Sequence, residues 1–238
     1  MYSTRKTERQ NSLEQLSDIM QNLQKLSKIK TSILDTISYR IALSTHTWKY
    51  GIFLGLPEET LKKLPKEIAS ALQAYYLLSK EISFLLSSLK NADETSLKTY
   101  FGLRKKILEA AVQIQQGLLS ESVTTMLETA SILISTLKSS PNNVKKGDFQ
   151  TFFEKYSECE EYFRRSFLFS FPEKYDPSFA SEYDEILQQS FAFEITSIDY
   201  ALAGKFELAF EELMKWFSFM QDFVGRSVIR ESTPKTID

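Results

Sequence analysis

Cysteine and histidine are nearly missing from this chain of 238 residues: there is one of each, Cys159 and His46. A single cysteine excludes an internal disulfide and argues against a cysteine-based metal cluster; it suits a reducing compartment and leaves a disulfide between two chains as an open alternative. A single histidine excludes the paired Glu-x-x-His sites of ferritin-like di-iron centres. Glycine and proline are also scarce, seven and six. Strand-rich folds spend more of both on turns. There is no run of about 18 uncharged apolar residues, the length a transmembrane helix needs. The start, Met1-Tyr-Ser-Thr-Arg-Lys-Thr-Glu-Arg9, lacks the apolar core of a secretory signal, so a cytoplasmic location is expected. Glycine-rich phosphate loops, G-x-S-x-G, H-E-x-x-H and C-x-x-C are absent too.

What the chain has is apolar residues at helical spacing. Hydrophobic residues make up 42% of it, enough to fill a core. From Ser96 to Leu137 they recur in steps of three and four without a proline, which predicts one long helix or two stacked end to end. Gly117 and Ser120–Ser122 are the weak point of that stretch, and Asp93 is its expected N-cap. Upstream, Leu13, Leu16, Met20, Leu23, Leu26, Ile29, Ile33, Ile37 and Ile41 predict a helix from near Thr7 or Asn11 towards Trp48 or Tyr50, stopped by Gly51. A packed connector, Gly51–Pro57, and a short helix from Pro57 follow. Another helix is expected from Pro65 to Lys90.

The stretch Ser139-Ser-Pro-Asn-Asn-Val-Lys-Lys-Gly147 is the clearest break. It divides an N-terminal helical region, 1–138, from a C-terminal three-helix region, 148–238, whether as a linker or as a long loop of one continuous domain. Charge changes sign there: residues 1–147 carry 20 Lys+Arg and 13 Asp+Glu, and residues 148–238 carry 9 and 18. In the second region helices are expected from Phe149 to about Ser170, from Ser178 to Ala203 with Gly204 closing it, and from Phe206 to about Val224, with a loose tail from Gly225. The fold class expected is all-α, an antiparallel bundle of about six to seven helices built from helical hairpins.

The most specific local pattern runs from Tyr200 to Phe217, Tyr-Ala-Leu-Ala-Gly-Lys-Phe-Glu-Leu-Ala-Phe-Glu-Glu-Leu-Met-Lys-Trp-Phe. A helix ends at glycine, an aromatic sits in the turn, and Ala209 allows two helices to approach. These residues resemble the middle of a tetratricopeptide-type hairpin, with no second copy at a period near 34 residues. An ordinary antiparallel helical hairpin reads the same way. Tyr200, Phe206, Phe210 and Trp216 are the candidate binding residues of this hairpin.

Arg40-Ile-Ala-Leu-Ser-Thr-His46 has an R-x5-H spacing. It resembles the signature of HEPN-type helical ribonucleases, with Ile41 where that family commonly has a polar residue. The resemblance implies that Arg40 and His46 act on an RNA phosphodiester by metal-independent acid–base chemistry. Carboxylates cluster at Glu158, Glu160 and Glu161, at Glu182, Asp184 and Glu185, and at Glu207, Glu211 and Glu212. Solvated acidic faces account for them, so no metal or other cofactor is expected. Basic groups are interleaved with acids at a sequence pI near 5.7, which does not favour nucleic acid as a partner.

The function expected is therefore a non-catalytic protein–protein interaction or scaffold role, with another protein or a second copy of the chain as partner. One alternative is HEPN-like RNA binding or cleavage through Arg40 and His46. The other is a pocket for an apolar small molecule among Phe163, Phe191 and Trp216.

Overall fold

The computed structural model describes residues 2–34, 36, 64–89, 92–138, 147–170 and 180–231. Their regular elements are all α-helices: α1 (Tyr2–Leu26), α2 (Lys66–Ser88), α3 (Glu94–Gln115), α4 (Leu119–Lys138), α5 (Asp148–Ser170), α6 (Ala180–Leu202) and α7 (Phe206–Glu231). The chain divides into two compact units, Met1–Val144 and Lys145–Asp238.

Among the described helices of the first unit, α1 packs on α2, α2 on α3 and on α4, α3 on α4, and α4 returns to α1, enclosing one core. Leu16, Leu23, Leu78, Ile82, Phe101 and Met126 are among the side chains sealed inside. The cap expected at Asp93 is present: its carboxylate accepts from the Ser96 amide at 2.6 Å.

The stretch 96–137 is neither a single rod nor two helices end to end. It folds back on itself. Gly117 adopts φ 79°, a left-handed conformation that glycine reaches without steric cost. The Gly117 amide donates to the Ile114 carbonyl at 3.0 Å and the Leu118 amide to the Gln113 carbonyl at 2.8 Å. That bond pair is a Schellman stop, which satisfies the last carbonyls of α3 and reverses the chain. The apolar spacing continues unbroken through the turn because both helices face one core. Period alone therefore could not reveal the reversal.

Two further boundaries differ from expectation. Helix α1 stops at Leu26, where Lys28 and Ile29 bond back to Lys25 and Leu26 and Ser27 Oγ donates to the Gln24 carbonyl at 3.0 Å. Helix resumes at residues 31–34 in a new register, with Leu34 buried and Ile33 exposed. The rest of that expected helix, the connector from Gly51 and the short helix from Pro57 lie outside the described residues. At the other end, α7 runs through Gly225 to Glu231 in place of a loose tail. Gly225 costs that helix about 1 kcal/mol relative to alanine, too little to stop it.

In the second unit α7 packs against both α6 and α5. Helices α6 and α7 are antiparallel across the turn at Gly204. Helix α5 runs in the same sense as α7, because Phe149, Phe152 and Tyr162 meet Phe206, Phe210 and Phe217 in that order, at ring separations of 5.2, 5.7 and 5.2 Å.

Candidate functional site

The turn of the second hairpin is built like that of the first. Gly204 adopts φ 73°, its amide donates to the Ala201 carbonyl at 3.0 Å, and the Lys205 amide donates to the Tyr200 carbonyl at 2.8 Å. The match extends along the helices. In the first hairpin Ser122 Oγ on α4 donates to the Ala110 carbonyl on α3 at 3.0 Å. In the second, Ser197 Oγ on α6 donates to the Ala209 carbonyl on α7 at 2.9 Å. Both bonds span 12 residues, both are buried, and both sit at the same distance from their glycine. Aligning Gly117 with Gly204 superposes Ala110 on Ser197 and Ser122 on Ala209, so the donor has changed helix while the crossing point has not. Small side chains at that point let the two backbones come close.

The same alignment separates what the hairpin fold requires from what it does not. Inward positions agree: Leu103, Ile107, Ala111, Ile114, Met126 and Leu133 are buried, and so are Ser190, Glu194, Ile198, Ala201, Leu213 and Met220. Outward positions on one flank disagree in chemistry. In the first hairpin Lys106 on α3 pairs with Glu128 on α4 at 2.7 Å, and Thr125 Oγ1 donates to Gln113 Oε1 at 3.0 Å. Glu121, exposed, extends that row. The second hairpin has Phe193 where Lys106 stands, Tyr200 where Gln113 stands and Leu208 where Glu121 stands. Phe193 meets Phe219 across the helix pair at a ring separation of 5.7 Å. Phe193, Tyr200 and Phe219 are half-buried, and Leu208 is 41% exposed.

These side chains stand in two rows along the outer flank of α6 and α7. The α6 row is Gln189, Phe193, Thr196 and Tyr200, the α7 row is Leu208, Glu212, Lys215 and Phe219, and Phe193 and Phe219 meet between them. Each row follows the three- and four-residue spacing of one helix face. Within the α7 row Lys215 Nζ binds Glu212 Oε1 at 2.6 Å, a bond that raises the lysine pKa. A shallow depression on α7 is lined by Phe210, Glu211, Met214, Lys215 and Ser218.

The flank of the hairpin facing α5 is filled. Trp216 is only 4% exposed, lies stacked on Tyr156 at 5.9 Å and donates from Nε1 to Ser190 Oγ at 2.9 Å. Tyr156 in turn donates its hydroxyl to the buried Glu194 carboxylate, giving that acid a partner inside the core. Of the four candidate binding residues expected from sequence, Tyr200 lies on the outer flank and Trp216 in the core. Phe206 and Phe210 pack on α5. Phe193, Leu208 and Phe219, beside Tyr200 on that flank, are not among the four. The signal that finds them is the alignment of the two glycine turns, which a search for a short repeat period does not test.

Phe191, like Trp216, is buried. The side chain of Phe163 lies outside the described residues, as do Arg40 and His46 entirely. Among the described residues no three His, Cys, Asp or Glu side chains gather as a metal-binding group, and no helix is long and apolar enough to cross a membrane. Cys159, on α5, is buried, and burial pushes its thiol up to about 11, with Lys155 opposing and Glu158 adding to the shift. A protonated thiol in that position is a poor nucleophile, and it is out of reach of a thiol on a second chain. No family model, no curated protein and no solved structure matches the chain.

Proposed function

We propose that this chain is a non-catalytic protein-interaction module and that the hairpin α6–α7 is its binding element. One observation carries the reading. Two hairpins of the same build differ at three positions of one outer flank, where Lys106, Gln113 and Glu121 of α3–α4 are replaced by Phe193, Tyr200 and Leu208 in α6–α7, while each flank keeps an ion pair and an apolar residue, Ile132 or Phe219, at its far end. The first hairpin stands with Lys, Gln and Glu at those three positions. Phe193, Tyr200 and Leu208 are therefore not needed to hold the hairpin, and apolar side chains kept partly in water suit contact with another macromolecule.

The test is site-specific photocrosslinking in the native host, with a benzophenone amino acid replacing Phe193 or, as the matched control, Lys106. A discrete adduct to another polypeptide from position 193 and none from 106 is the expected result. The variant carrying Phe193→Lys and Tyr200→Gln, the residues of the sister hairpin, is expected to lose that partner on copurification. Identical adducts from both positions, or retention of the partner by the variant, would refute the reading.

A further inference from the structure

We draw no further inference here: the strongest candidate, the partly exposed outer flank of α6–α7 on which Phe193 and Phe219 meet beside Tyr200 and Leu208, belongs to the surface already described, and nothing in the structure shows what covers it.

Discussion

The hairpins α3–α4 and α6–α7 share a turn, a crossing point and an inward face, yet they surround themselves differently. Both carry an ion pair on the outer flank, but the first adds a hydroxyl–amide bond where the second adds the rings of Phe193 and Tyr200. Inside, the contrast reverses in kind. Position 129 of the first is a threonine whose hydroxyl bonds its own helix at Thr125, and the matched position of the second is Trp216, stacked and bonded across helices. What recurs in both is what reversal of a helix demands. What varies reports on the neighbours each hairpin has to meet.

Substitutions at matched positions can break or sharpen that comparison. The largest effect is expected for Trp216→Ala, which removes a buried ring, its stack on Tyr156 and its bond to Ser190. The cost should be about 3–5 kcal/mol, against about 1 kcal/mol or less for Thr129→Ala. Urea unfolding followed by far-UV dichroism measures both, and equal losses would end the claim that the two interiors differ. Next comes pH. The Cys159 thiol is raised in the folded chain from 9.0 to about 11, so the folded state holds a proton that the unfolded state gives up earlier. The stabilisation is fully present below pH 9 and is lost as pH climbs towards 11, a change of about 2–3 kcal/mol. Cys159→Ala should remove that part of the alkaline loss, which urea titrations at pH 8 and pH 10.5 would resolve; an unchanged slope would contradict it.

Smaller effects test the shared parts. Gly117→Ala and Gly204→Ala each force a side chain into left-handed backbone and should cost roughly 1–2 kcal/mol apiece. A cost at one turn only would mean that the two stops are not equivalent. Ser122→Ala and Ser197→Ala each forfeit one buried hydrogen bond, about 1 kcal/mol. Adding Ala110→Ser to Ser122→Ala copies the donor arrangement of the second hairpin and should recover most of that loss in a double-mutant comparison. No recovery would show that the direction of the bond matters at this crossing.

Helix content was plain in the sequence because steps of three and four are written directly in residues such as Leu103, Ile107 and Ile114. The cap at Asp93 and the turn at Gly204 were equally legible, each resting on a residue type with one strong local preference. The fold-back at Gly117 was not. An apolar stripe looks the same whether the next helix continues or returns, and only left-handed backbone at one glycine distinguishes the two. The aromatic side chains of the outer flank were harder still. Phe193 and Phe219 stand at helical spacing like any core ring, and their half-exposure follows from which flank α5 covers, a tertiary fact without a local signature. The burial of Trp216 was no more legible, because a large amphipathic ring is as fit for a core as for a docking surface.

The sealing of Cys159 has a practical corollary. Its sulfur is shut away under native conditions, so the chain offers thiol chemistry a blank exterior. Cysteines introduced in pairs, one on α4 and one on α7, would each take a maleimide dye without first deleting the native residue. Energy transfer or spin–spin distances between such labels would then give the separation of the two units in solution and how it changes when a ligand arrives.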